Sequence, residues 1–111
     1  MDKTKRSGIA VIFKSLRTPH DDEGYAAAAE AMDAEARRQP GYLGIDSVRD
    51  AAGHGITISY WADEAAALAW RNHADHSAIR AQGRADWYES YEVIVAEIGR
   101  SYAWEKPATV I

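Results

Sequence analysis

The order of its apolar segments predicts that this chain folds as one α+β domain on the ferredoxin-like plan, β-α-β-β-α-β, with a four-stranded antiparallel sheet and both helices on one face. Three observations lead there. The chain has 111 residues, a length for one domain that buries about two-thirds of its unfolded surface. Its β-rich runs alternate with segments of helical period. Two of those runs are joined by a short glycine-containing connection of the hairpin kind.

Composition narrows the function classes. Hydrophobic residues make up 47% of the chain, and 4 Trp with 6 Tyr supply enough burial to oppose chain entropy, so an ordered fold is expected. With no Cys there is no disulfide framework, thiolate metal site or cysteine nucleophile. Lys and Arg total 13 against 17 Asp and Glu, and this acidic balance gives no surplus to neutralise a phosphate backbone. Nucleic acid is therefore not an expected partner. Apolar runs are too short to span a membrane, and the charged start, Met1 to Arg6, leads into no signal-peptide core. A soluble cytoplasmic domain is expected, with its core over about residues 8–100 and an extension over 101–111.

The first strand is Ile9 to about Leu16. Ile9, Val11 and Phe13 fall on one face, with Ala10, Ile12 and Leu16 on the other. Thr18 to Glu23 supplies a Thr or Asp cap, Pro19 in the first turn, and acids beside the positive end of the helix dipole. The first helix runs to about Gln39 on the stripe Tyr25, Ala28, Ala29, Met32, Ala36, and Pro40-Gly41 stops it. Tyr42 to Arg49 and Ile56 to Trp61 are the hairpin strands. Asp63 caps a second helix whose phase fails on one continuous wheel, because Leu68 and Ile79 oppose Trp70. A break near His73 to Asp75 is expected, with Asp75 capping a short segment that ends at Gly83. The last strand is Tyr91 to Ile98, and the tail with Tyr102, Trp104 and Pro107 is extended. Since the helices cover one sheet face only, the apolar residues on the other predict a homodimer packed sheet against sheet.

Several stretches then carry a resemblance: Pro40-Gly41-Tyr42-Leu43-Gly44-Ile45-Asp46-Ser47-Val48, Ile58-Ser59-Tyr60-Trp61-Ala62-Asp63-Glu64-Ala65, Ala69-Trp70-Arg71-Asn72-His73-Ala74-Asp75-His76, Gly83-Arg84, and the strand Tyr91 to Ile98. In this order and spacing the chain resembles the antibiotic biosynthesis monooxygenase family of dimeric α+β barrels, over roughly residues 8–100. The resemblance implies one of the family's activities: cofactor-free oxygenation of phenols and hydroquinones, or haem degradation. The haem-degrading members pair the helix-two Trp with an axial His ten residues later and an Asn on the first strand. Here the tenth residue after Trp70 is Arg80, and Ile9 to Leu16 contains no Asn. Arginine offers no lone pair to iron.

Cofactor-free chemistry needs an electron-rich substrate, an apolar slot, a base, and donors for developing negative charge. Trp70 resembles the family's pocket tryptophan, although a large helical aromatic is often plain core. His73 or His76 is the candidate base, or a brace at the helix break. As i, i+3 neighbours they lack the third ligand of a metal site. Asn72 is a donor to a substrate oxygen or a helix cap. Arg80 stabilises an anionic intermediate or is a solvated helix-end charge. Tyr60 and Phe13 join Trp70 as substrate-binding residues, in a pocket expected between the sheet and helix two. Tyr88, Tyr91, Tyr102 and Trp104 are expected at the dimer seam or pocket rim. The expected protein is thus a homodimeric oxygenase of a small phenolic or quinol-like aromatic, with no metal or flavin. The alternatives are a non-catalytic dimer holding haem or a hydrophobic metabolite, and a haem oxygenase with moved ligands.

Overall fold

The computed structural model describes residues 8–108, apart from the side chains of residues 74–77. Its elements are β1 (Ile9–Arg17), α1 (Asp22–Arg37), β2 (Tyr42–Arg49), β3 (His54–Trp61), α2 (Glu64–Arg71), α3 (Ala74–Gln82), a turn of wide π-helical spacing (Gly83–Trp87), and β4 (Tyr88–Glu97). The four strands form one sheet in the order β2-β3-β1-β4. Every neighbouring pair is antiparallel, with Ile9 opposite Trp61 on one side and Glu97 on the other. This is the α+β ferredoxin-like plan that the residues predict.

Strand alternation decides what each face does. Ile9, Val11 and Trp61 pack on Met32, Ala36, Ala66, Ala67 and Trp70, so odd-numbered β1 residues face the helices. Even-numbered ones, Ala10, Ile12, Lys14 and Leu16, therefore lie on the open face beside Tyr60, Ile58, Ile56 and His54. Trp61 is fully buried, and its indole N–H donates to Ser59 Oγ at 2.9 Å. Polar burial is thus satisfied where it occurs: no buried side-chain N or O among the described residues lacks a partner.

Small side chains let the layers meet. Gly41 has φ 82°, and a Cβ there would fall 2.6 Å from the Ala66 Cβ. Glycine at that joint meets both the backbone requirement and the close approach. Ala36 and Ala67 are buried beneath the helices. The many alanines are what allow two thin helices to lie close to one sheet.

Of the two caps offered for α1, Asp21 is the one used, in the left-handed region at φ 54°. Several other local expectations are corrected. Pro19 stands before the helix rather than in its first turn. Ala29 of the α1 stripe is exposed. The break in helix two is real but falls at Asn72 and His73, before Asp75. This resolves the phase conflict, because α2 buries Ala67 and Trp70 while Leu68 stays exposed. The chain does not leave its helical path at Gly83. One wide turn continues to Trp87, which is buried, and β4 starts at Tyr88 rather than Tyr91. Thr18 N–H on Trp87 O at 2.8 Å ties that turn to the end of β1.

Residues 98–108 form neither helix nor strand, and Tyr102 and Trp104 are 76% and 80% exposed. The radius of gyration is 15.9 Å, against about 13 Å for a compact domain of this length.

Candidate functional site

Asp63 caps α2 through a 2.8 Å bond from Ala66 N–H, and this start turns Trp70 toward the sheet. The Trp70 ring stacks on Trp61 with centroids 5.9 Å apart. The His73 ring lies 5.5 Å from the Trp70 indole, placed there by the helix break at Asn72 and His73. His73 Nε2 is 3.4 Å from Glu35 Oε1 on α1, and both side chains are largely sheltered. Glu35 also accepts from Arg38. That hydrogen bond holds the Glu35 carboxyl below its ordinary value against partial desolvation, and the charges of Arg38 and then His73 add to the effect.

The result is an imidazole seated on an indole and braced by a carboxylate, an arrangement that can accept a proton and steady the resulting cation. Gln39 connects this group to the surface, with its amide donating to Glu35 O at 3.2 Å. A hollow of about 320 Å³ shares Gln39 and Trp70 with this group and is otherwise lined by Pro40, Gly41, Asp63, Ala65, Ala66 and Ala69, with His73 and Glu35 behind that lining rather than in it. Its alanine and glycine walls leave the space.

This hollow is not where sequence reasoning placed the pocket. The space between sheet and α2 is filled by Trp61, Trp70 and Ala67. Trp70, at 8% exposure, is a core residue that shows one edge to the hollow. Tyr60 alternates with Trp61 and so lies on the open face, away from this hollow, where its hydroxyl donates to Asp46 at 3.0 Å. Phe13 is on the helix face, but in another aromatic group further along β1. Asn72 closes α2 and is exposed, its backbone N–H bonded to Leu68 O. Arg80 approaches Arg71 O at 3.5 Å. The side chain of His76 lies outside the described residues. Of the predicted site residues, the structure joins Trp70 and His73. Glu35 was missed, since nothing in its spacing ties a helix-one carboxylate to a histidine after helix two.

Phe13 belongs to a second cluster. Its ring packs against Tyr88 at 5.3 Å and Tyr91 at 5.2 Å, and Tyr25 of α1 meets Tyr88 at 5.8 Å. Tyr88 and Tyr91 therefore face the helices, which removes Tyr91 from a seam on the open face. Arg49 donates to Ser15 Oγ at 2.9 Å and Tyr25 OH at 3.0 Å, and Arg17 lies over the Tyr25 ring at 4.0 Å. Burial pushes the Tyr88 phenol above its ordinary value, and the adjacent Tyr25 adds to this, outweighing Arg49 and Arg17. No group of three His, Asp or Glu able to hold a metal occurs among the described residues. Nor is any of their helices long and apolar enough to cross a membrane.

Comparison with known proteins gives the family and the fold. Residues 8–82 match the model of the family "Antibiotic biosynthesis monooxygenase". The chain is 46% identical over 97 residues to the uncharacterized protein YqjZ of Bacillus subtilis, covering 87% of this chain and 84% of that one. It is 27% identical over 97 residues to the jasmonate monooxygenase ABM of Pyricularia oryzae, where the match spans 84% of this chain but only 44% of that protein. Among solved structures, SnoaB, a cofactor-independent oxygenase from Streptomyces nogalater, superposes with TM-score 0.69 at 14% identity, over 79% of this chain and 89% of that one. At that identity the likeness is one of fold.

Proposed function

We propose that this chain, which belongs to the antibiotic biosynthesis monooxygenase family, is a cytoplasmic, homodimeric oxygenase that oxidises a small phenolic or quinol-like aromatic without cofactor or metal. The observation that carries the reading is the His73–Glu35 pair at 3.4 Å against the Trp70 ring, next to the hollow of about 320 Å³. That volume lies at the low end of the roughly 300–1,000 Å³ of small-molecule pockets. A compact aromatic suits it better than an extended one. The monooxygenase from Pyricularia oryzae and the oxygenase from Streptomyces nogalater lend support to this class of reaction.

In the proposed reaction His73 takes the hydroxyl proton of the substrate, and Glu35 steadies the imidazolium. The resulting phenolate or enolate is electron-rich enough to pass an electron to dioxygen. For an anthrone-like substrate, one methylene group and one dioxygen molecule give one carbonyl group and one water. The methylene carbon loses both hydrogens and is oxidised, while dioxygen is reduced, so no outside reductant is needed. The walls contributed by Trp70, Ala65, Ala66 and Ala69 hold the ring and limit water.

An oxygen electrode with a panel of hydroquinones and anthrones tests this. Uptake above the uncatalysed rate is expected, falling about a hundredfold in His73→Ala, the lower end for loss of a general base. No uptake with any member, or uptake unchanged in His73→Ala and Glu35→Gln, would overturn it.

A further inference from the structure

The hollow at the Gly41 joint holds two side-chain acceptors that the fold leaves without a donor. Gln39 follows α1 and Asp63 caps α2, and both line the same space of about 320 Å³. The Gln39 amide turns its nitrogen to two oxygens of Glu35, the backbone carbonyl at 3.2 Å and the carboxylate at 3.5 Å. Both are acceptors, so the nitrogen end must face them and the amide oxygen is directed away. Asp63 uses one oxygen, Oδ1, to accept from the Ala66 N–H at 2.8 Å. Among the described residues, neither Asp63 Oδ2 nor Gln39 Oε1 has a donor.

Charge around the hollow has one sign. Among the described residues no Lys or Arg lines it. Arg37 and Arg38, the cations nearest to Gln39 in sequence, are engaged by Asp33 and Glu35. The first-turn N–H groups of α2 would attract an anion, but the Asp63 carboxylate already occupies that end, with Glu64 next to it. What is left for an occupant is one anionic acceptor, one neutral acceptor, and walls of alanine with the Trp70 edge.

We propose that Asp63 and Gln39 set the substrate class of this hollow: a single-ring phenol that offers hydrogen-bond donors to both and carries no negative charge. A second hydroxyl or an ammonium group donates to Asp63 Oδ2. The phenol hydroxyl donates to Gln39 Oε1, which keeps it on the side of the Glu35–His73 pair. A ring bearing a carboxylate has no donor for Asp63 and meets it as a like charge. It is therefore rejected both by an unmade bond and by repulsion. Such selection rests on the proposed function only in placing the substrate in this hollow, and it needs no oxidation step.

Three rings of nearly equal size test it: para-hydroxybenzylamine, para-hydroxybenzyl alcohol and para-hydroxybenzoate. Each is titrated into the isotope-labelled full chain, and binding is read by NMR from the backbone amides of Gly41, Ala65, Ala66 and Ala69. The ammonium probe is expected to bind tightest and the carboxylate weakest, about tenfold apart, because attraction and repulsion at an exposed carboxylate add. Added salt should narrow that spread. Asp63→Asn keeps the helix cap and an acceptor while removing the charge. It is expected to bring the ammonium and carboxylate probes within about twofold of each other, and Asp63→Ser, a second neutral cap, should do the same. Gln39→Leu is expected to weaken all three probes alike, by roughly fivefold for one lost hydrogen bond. Equal affinities in the natural chain, or a spread that both Asp63 variants leave intact, would overturn the selection. Shifts confined to other amides would overturn this hollow as the substrate site, and the proposed function with it. A spread that holds in a chain without oxygen uptake supports the selection and counts against the oxidation alone.

Discussion

Replacing Gly55 by alanine separates two opposite expectations. The glycine has no positive φ, so backbone entropy alone predicts a gain of about 0.4–1 kcal/mol for Gly55→Ala. Packing predicts the reverse. A Cβ at that position would lie 2.4 Å from Arg49 Cζ and 2.5 Å from its Nη2, because the guanidinium rests flat over the glycine. Arg49 would have to swing away, and its bonds to Ser15 Oγ, Tyr25 OH and Gly53 O would be lost. Ser15 is buried, so its hydroxyl would be left without this donor. At about 1 kcal/mol for each bond, less the entropic gain, Gly55→Ala should cost about 2 kcal/mol. For a domain of this size that is about 8 °C in melting temperature. The assay is urea unfolding followed by circular dichroism, in a double-mutant cycle with Arg49→Met. Once the guanidinium is gone, alanine at 55 should cost nothing or stabilise slightly. A coupling within about 0.5 kcal/mol of zero would refute the claim that Arg49 is what excludes a side chain at position 55.

Three further outcomes are expected. Trp70→Ala should lose about 3–5 kcal/mol in urea unfolding through the cavity left against Trp61, and a loss under about 1 kcal/mol would contradict its place in the core. Glu35 has its folded value lowered by Arg38 and His73. The stability it contributes is therefore present above the ordinary carboxylate value and is lost as pH falls through the folded one. Urea midpoints measured from neutral into acid should show that decline, and Glu35→Gln should flatten it. Asp21 sits at φ 54° while accepting from Gly24 N–H and from the Trp87 indole, each at 3.1 Å. Asp21→Ala should thus cost about 3 kcal/mol from cap, strain and indole bond together, while Asp21→Asn, which tolerates that backbone and keeps an acceptor, should cost under about 1 kcal/mol.

The residues most open to misreading were those whose role depends on which face they occupy. Trp61 and Tyr60 are adjacent, both aromatic, and close to helix two in sequence. Only the pairing of Ile9 with Trp61 sends one into the core and the other to the open face. A one-residue error in register would exchange them. His73 and Glu35 carry no mutual signal in the chain, because their contact depends on how α1 and the α2–α3 break are packed together. Likewise Tyr91 reads as a seam residue until the early start of β4 at Tyr88 fixes its phase toward Phe13.

Whatever is local or periodic was legible in the chain before it folded. The β-α-β-β-α-β order, the Asp63 cap, the stop at Pro40-Gly41 and the need to break helix two all follow from turn chemistry and apolar spacing within short windows. The absence of Cys likewise set aside thiol chemistry. Which apolar residues meet across those windows was settled only by folding. Packing filled the space behind α2 with Trp61 and Trp70, moved the hollow to the outer joint at Gly41, and set Glu35 beside His73. The difference is one of range: propensity, capping and alternation act over a few residues, whereas packing and burial depend on partners that the chain brings together only when it folds.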